Sequence, residues 1–275
     1  MENMVNLYQI LQCPACLAGL TESLKCTGCG KQFAREKDVN IMTDPRLSGK
    51  EWKWDESLFS EEKMKAMMER YKSYFNEETV KAQALWWAAM ENEINGFSGL
   101  VGDLASGLGG MFGRLMRSGS DFTPVATDVD PNVLSWTSQK MKAGQKKKFF
   151  AVATDGKHLA FKTGTFNVVT SYAGLGNIPD TKLILAEIYR VLRKGGRLVV
   201  MQTFVDVDSS SHKLARGMNV ERALIKPFLL ADLAEAGFKN IGVDVASSAI
   251  WAENPMDGLP AAGDMQYFAI VKAEK

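Results

Sequence analysis

From residue 99 onward, short apolar runs alternate with stretches in which apolar residues recur every three or four positions. The runs are "GLVGDLA", "FTPVATD", "KFFAVATD", "FNVVTSY" and "RLVVMQTF", and between them lie "GGMFGRLMRS", "NVLSWTSQKM" and "TKLILAEIYRVL". That order predicts βαβ units on a parallel sheet, an α/β fold. Ligands of such sheets lie beyond the carboxyl ends of the strands, which places Asp103, Asp128, Asp155 and the "SYAGLGN" segment from Ser171 at the informative positions. Upstream the rhythm is helical. Ser60 and Asn76 are expected caps, Met64, Met67, Met68, Tyr71 and Phe75 recur at helical spacing, and "EETVKAQALWWAAMENEI" is apolar on more than one face, which predicts a helix sandwiched between lobes.

Composition fits a single globular chain: 275 residues, 46% of them hydrophobic, suffice for one large domain and a small appendage. With Lys+Arg 33 against Asp+Glu 32, no global basic excess attracts nucleic acid, although "KKK" at 146–148 makes a local patch. The first residues lack the basic start and apolar core of a secretory signal, and no window reaches the roughly 18 apolar residues of a membrane span. The expected location is cytoplasmic, with no membrane partner.

The four cysteines form two Cys-x-x-Cys hooks, Cys13 with Cys16 and Cys26 with Cys29, separated by nine residues. Paired hooks suit tetrahedral thiolate ligation of a structural zinc, and an iron site of the same geometry is the alternative. Phe33 and Ile41 are expected core residues of this lobe, and Pro45 marks its exit. The expected division is a zinc-ribbon-like lobe at 1–45, a helical connector or lid at 46–98, and the α/β domain at 99–275.

The glycine-rich stretch "GLVGDLASGLGG" closes the first strand of that domain. It lacks the Gly-Lys-Ser/Thr ending of a phosphate-binding loop and meets the dinucleotide fingerprint only at Gly107 and Gly109. Asp103 ahead of the glycines would repel a pyrophosphate and attract a sulfonium and an α-amino group. Asp130 reads as a helix cap before Pro131.

"VGDLASGLGG" resembles the first motif of class I S-adenosylmethionine-dependent methyltransferases, "VATDVDP" their second-strand end and "ATDGKHLAF" the segment that follows. "LAEIYRVLRKGGRLVV", "LADLAEAGFKNIGVDV" and "MQYFAIVKA" resemble their closing half, type 11-like in its ending. The resemblance implies a Rossmann-like doubly wound sheet with an antiparallel C-terminal strand, fronted by the zinc-ribbon lobe. It also implies S-adenosylmethionine as cofactor and S-adenosylhomocysteine as product. The residues it places on the cofactor are Asp103, Ala105, Ser106, Gly107, Gly109, Asp128 with Val129 at the ribose, Asp155 with Gly156 at the adenine, and Ser171. Ala105 and Lys194 depart from the usual glycine and proline. His212 and Tyr172 are the catalytic candidates, His212 because "DVDSSSHK" follows the fifth strand, and Asn177 is a further pocket candidate.

The expected acceptor is a small molecule. "SYAGLGN" lacks the Asn/Asp-Pro-Pro-Tyr box of many enzymes that methylate nucleic-acid amino groups. A zinc ribbon ahead of a methyltransferase also resembles the layout of ribosomal RNA guanine-N1 methyltransferases, which keeps RNA as the alternative. A catalytically silent scaffold is the third reading, opposed by the intact glycines and acids.

Overall fold

The computed structural model of the chain describes residues 6–51, 57, 59–143 and 147–275. Residues 52–56 and 58 of the expected connector, and Lys146 of the lysine run, lie outside them. Among the described residues nine strands form one sheet: β1 (Ala34–Glu36), β2 (Val39–Ile41), β3 (Gly99–Asp103), β4 (Phe122–Asp128), β5 (Phe150–Ala153), β6 (Phe166–Tyr172), β7 (Leu192–Val205), β8 (Lys239–Ile250) and β9 (Met265–Glu274). Their order across the sheet is β1-β2-β5-β4-β3-β6-β7-β9-β8. The run from β2 to β7 is parallel, while β9 lies antiparallel between β7 and β8. This is the mostly parallel sheet expected from the strand pattern, with the doubly wound order and antiparallel C-terminal strand that the resemblance implies.

The helices are α1 (Leu7–Ile10), α2 (Pro45–Ser48), α3 (Glu61–Ser73), α4 (Glu77–Ile94), α5 (Gly110–Arg117), α6 (Pro131–Lys142), α7 (Thr181–Val191), α8 (Ser210–Gly217), α9 (Glu221–Leu224) and α10 (Lys226–Glu235). Ser60, Asn76 and Asp130 cap α3, α4 and α6 with side-chain oxygens that accept from Lys63 N, Thr79 N and Asn132 N. Strand alternation sends neighbours to opposite faces. Leu100, Val169 and Val200 join Ile184, Ile188 and Leu229 of α7 and α10. Val101, Val168 and Val199 join Trp86, Met90, Leu115 and Leu134 of α4, α5 and α6.

Two features differ from the expected layout. The cysteine lobe shares the domain's core and sheet: β2 pairs in parallel with β5 through Val39 and Ala151, and Leu11, Cys13, Phe33 and Met42 are buried in the same cluster as Phe161 and Val152. Phe33 is therefore a core residue, while Ile41 is half-buried on the other face. A lobe this small gains burial by sharing the larger core. Helix α4 is not sandwiched between lobes but laid on β8 and β9, where the Trp86 indole N–H donates to the Ala269 carbonyl at 2.8 Å and the Ser247 hydroxyl to Ala82 O at 2.6 Å. Its second apolar face stays open, with Val80 and Leu85 exposed. Trp87 instead packs beneath the Arg114 guanidinium, 3.6 Å from the ring centre.

Candidate functional site

The turn from β3 into α5 forms one wall of a 980 Å³ cavity at the carboxyl end of the parallel strands. Ala105, Ser106, Gly107 and Gly109 line it, joined by Asp128 and Val129 from the end of β4 and by Asp155 and Gly156 after β5. Gly107 and Gly109 both have left-handed backbone, φ +49° and +82°. A Cβ on Gly107 would meet nothing closer than Ala105 O at 4.0 Å, so it would enter the cavity, whereas one on Gly109 would strike Thr137 Cγ2 at 2.9 Å. The first glycine keeps space open for a ligand and the second allows α6 to approach. Ala105, the departure from the usual glycine, also has φ +52°, a strained conformation for a residue with a side chain.

Asp128 is anchored on both oxygens: Oδ2 accepts from Gly107 N at 2.9 Å and Oδ1 from Asp130 N at 3.1 Å. Burial raises its carboxyl above the ordinary range, and these amide donors oppose the rise. Asp155 Oδ1 accepts from Lys157 N at 2.9 Å. Asp103 is different. It is fully buried behind the loop, and neither carboxylate oxygen has a partner of hydrogen-bond geometry among the described residues, the Ser106 hydroxyl beside it donating to the Asp103 backbone carbonyl; burial, only partly opposed by that hydroxyl, pushes the carboxyl up to about 8. Helix α5 opens at Gly109 with no side-chain cap, which leaves its first N–H groups facing the loop.

These features suit S-adenosylmethionine. The open space at Gly107, the uncapped helix start and the acids at two strand ends match a ligand with a carboxylate, ribose hydroxyls and an adenine amine.

Asp103 therefore does not line the cavity, and two further sequence candidates fall elsewhere. Ser171 is withdrawn from the cavity: it is completely buried and its hydroxyl donates to Leu104 O at 2.7 Å, so it holds the loop and does not face a ligand. His212 is a buried structural residue. Its Nδ1 accepts from Asp208 N at 3.0 Å, and its Nε2 lies 3.2 Å from Glu221, so no ring nitrogen remains for substrate. Tyr172 does line the cavity, packed against Trp87 with ring centres 4.5 Å apart, and burial raises its phenol. Asn177 lines it too.

Sequence reasoning missed the partner, from far along the chain, with which the segment expected as a connector or lid covers the cavity. Met67, Met68 and Tyr71 of α3 line it together with Met256 from the β8–β9 connection. Periodicity marked the first three as helical, but their cavity face depends on a contact with a segment far along the chain.

The cysteines converge. All four Sγ atoms lie within 4.8 Å of one another, with Cys13–Cys29 at 3.8 Å and Cys16–Cys26 at 3.4 Å. A tetrahedron built on Zn–S bonds of about 2.3 Å has edges of about 3.8 Å. Burial works against ionising Cys26, yet the N–H groups of Cys29 and Gly28 and the adjoining thiols bring it down to about 6; Cys13, more deeply enclosed, is pushed up to about 12. The donor set therefore fits a thiolate-bound metal.

Residues 59–216 match the ubiE/COQ5 methyltransferase family. The chain is similar to the demethylmenaquinone methyltransferases of Lactococcus lactis (34% identical over 125 residues, 45% of this chain and 50% of that one) and Thermobifida fusca (33% over 137 residues, 49% and 57%). It also resembles the ubiquinone/menaquinone biosynthesis C-methyltransferase UbiE of Rhizobium etli, 32% identical over 111 residues, 38% of this chain and 42% of that one. The chain thus spans about half the length of the curated relatives it matches. Among solved structures, Haemonchus contortus phosphoethanolamine N-methyltransferase 2 superposes with TM-score 0.52 at 15% identity, covering 68% of this chain and 53% of that one. The [4+2]-cyclase SpnF superposes with TM-score 0.54 at 18% identity, covering 70% and 80%. At these identities the structural likeness establishes the fold alone, and a cyclase among the neighbours shows that the fold does not dictate the reaction.

Proposed function

This chain belongs to the ubiE/COQ5 methyltransferase family, and from that premise we propose that it transfers a methyl group from S-adenosylmethionine to a small acceptor bearing a quinol-type ring. The observation that carries the reading is the cavity at the strand ends, in which the Gly107 turn, Asp128 and Asp155 meet at one rim. The names of the curated relatives supply the quinol class.

When bound, the cofactor would supply an electrophilic methyl group to an acceptor atom that gives up one proton. The chain's own part is to bind, orient and exclude water. Asp128 would accept from ribose hydroxyls, Asp155 from the adenine amine, and the amides at the start of α5 would hold the carboxylate. Tyr172 and the α3 side chains would shield the reacting atoms from solvent. The cysteine cluster, in the same reading, holds a structural zinc that fixes the lobe beside β5.

The deciding experiment is calorimetry with S-adenosylhomocysteine and with NAD, followed by transfer of labelled methyl to quinols. Binding of NAD without the sulfur compound would overturn the reading. The near balance of basic and acidic residues gives the RNA alternative no support.

A further inference from the structure

The wall of the large cavity that is not taken up by the β3–α5 turn, Asp128 and Asp155 includes Tyr71 of α3, Tyr172 of β6, Asn177 and Met256 of the β8–β9 connection. Tyr71, Tyr172 and Asn177 also line a smaller cavity of 140 Å³, bounded further on by Trp251 and Gln266, which runs into the large one at the end of β6. Asp257, the residue after Met256, lines this smaller space. Tyr172 joins the two regions: a Cβ on Gly110, at the start of α5, would lie 3.5 Å from its Cδ1.

An acceptor that gives up a proton needs a base to receive it, and few of the lining side chains qualify. Among the described residues the carboxylates that line the two cavities are Asp128, Asp155 and Asp257. The first two accept from backbone amides and face the space assigned to the cofactor. The chain's two histidines, His158 and His212, line neither cavity. Burial raises the phenols of Tyr71 and Tyr172, so both keep their protons and serve as donors. That leaves Asp257. Its Oδ2 accepts from the Tyr71 hydroxyl at 3.0 Å and from Asn254 Nδ2 at 2.9 Å, while Oδ1 stays accessible and has no hydrogen-bond partner among the described residues. The two donors fix the carboxyl group and leave one oxygen for a ligand. Burial also raises this carboxyl above its ordinary range, which makes it a stronger proton acceptor than an exposed aspartate.

We propose that Asp257 is the general base of the reaction, its Oδ1 taking the proton of an acceptor hydroxyl seated beside Tyr172. The acceptor's O–H bond breaks with its electron pair left on the acceptor, the proton bonds to Oδ1, and the negative charge passes from the carboxylate to the acceptor, which becomes the stronger nucleophile. Methylation at that oxygen ends there; at a ring carbon, the displaced ring proton returns to the oxygen, and either way one proton leaves to solvent with the product. Tyr71 is a positioning residue that holds the carboxylate. The inference rests on the methyltransferase reading above and adds the group that handles the proton.

The test uses the full chain and measures single-turnover transfer of labelled methyl from S-adenosylmethionine to hydroquinone and to naphthohydroquinone, under argon, at successive pH values. Asp257→Asn keeps the shape of the side chain and an acceptor for Tyr71 but takes no proton, so the rate should fall by about 100-fold or more while S-adenosylhomocysteine affinity changes by less than about threefold. Tyr71, Tyr172 and Asp257 are the titratable groups lining the smaller cavity among the described residues. In the unaltered chain the rate should rise with pH as Asp257 ionises, because only the carboxylate receives a proton. In Tyr71→Phe that rise should move to higher pH in step with the carbon-13 titration of Asp257, a measurement that stands even where the Asn variant fails to fold. An Asp257→Asn chain that binds S-adenosylhomocysteine normally and keeps more than about a third of the rate would overturn the inference and leave the methyltransferase reading standing. So would a rise that stays in place in Tyr71→Phe while the Asp257 titration moves. No transfer from the unaltered chain to either quinol, or no binding of S-adenosylhomocysteine, would bring down that reading and the inference with it.

Discussion

The Tyr71 hydroxyl donates a 3.0 Å hydrogen bond to Oδ2 of Asp257, joining residues 186 positions apart. It ties the helix above the cavity to the connection between the last two strands. Burial raises the Asp257 carboxyl above its ordinary 3.8, and the Tyr71 bond opposes the rise. In Tyr71→Phe, carbon-13 NMR should therefore show Asp257 titrating at higher pH, and urea melts should show a loss of about 1 kcal/mol.

Asp103 makes its own contribution to the pH dependence of the ligand-free chain. A carboxyl that sits at about 8 when folded and near 3.8 when unfolded binds more protons in the folded state between those values. The contribution of Asp103 to stability is then greatest below 3.8 and declines as pH rises toward 8, by up to ~1.4 kcal/mol per pH unit, against the opposite contribution of carboxyls such as Asp44 that the fold holds below their ordinary range. Asp103→Asn should flatten that decline in urea melts at successive pH values. An unchanged slope would show that Asp103 does not titrate in this range.

Asp128 carries a separate expectation for binding. Replacing it with alanine removes the acceptor for Gly107 N and for ribose hydroxyls, and calorimetry should show S-adenosylhomocysteine binding weaker by about 1–3 kcal/mol. The fold should survive, because Asp128 closes a strand whose ladder to β3 and β5 is made by the backbone.

The loop offers a paired test of backbone strain. Ala105→Gly relieves a left-handed alanine and should raise stability by about 0.5–1 kcal/mol, less than the full relief because glycine also frees the unfolded chain. Gly109→Ala forces a side chain into left-handed backbone and against Thr137, and should lower stability by about 1–3 kcal/mol. Thermal melts of the two variants should move in opposite directions.

For the cysteine cluster, elemental analysis should find close to one zinc per chain. Its thiols should resist a thiol reagent until a chelator removes the metal. A chain with no bound metal and four freely reactive thiols would refute the assignment.

Much of this was legible in the chain because it depends on near neighbours. Ser60, Asn76 and Asp130 cap helices through amides two or three residues on, and strand ends at Asp103 and Asp128 follow from local apolar runs. What escaped depends on direction and distance. Ser171 lies near the end of β6 and His212 follows β7, yet the strand-end rule does not say that one hydroxyl turns back to Leu104 or that the imidazole is enclosed by Asp208 and Glu221. Trp251, Gln266 and Tyr71 reach one cavity from segments that share no periodicity. Nor does spacing reveal that Val39 pairs with Ala151.

That pairing bears on solubility. An open sheet ends in strands whose free amides and carbonyls invite another chain, and natural sheets blunt such borders with short, charged segments. Here one of the two borders is β1, three exposed residues that include Arg35 and Glu36; the other is β8. Behind the hairpin lies β5, "FAVA", short, uncharged and mostly buried. If the cysteine lobe detaches, β5 becomes the border, a sticky edge with no charge to repel a neighbour. The metal cluster would then protect the chain against self-association, and its loss would first be seen as turbidity, before any loss of ligand affinity.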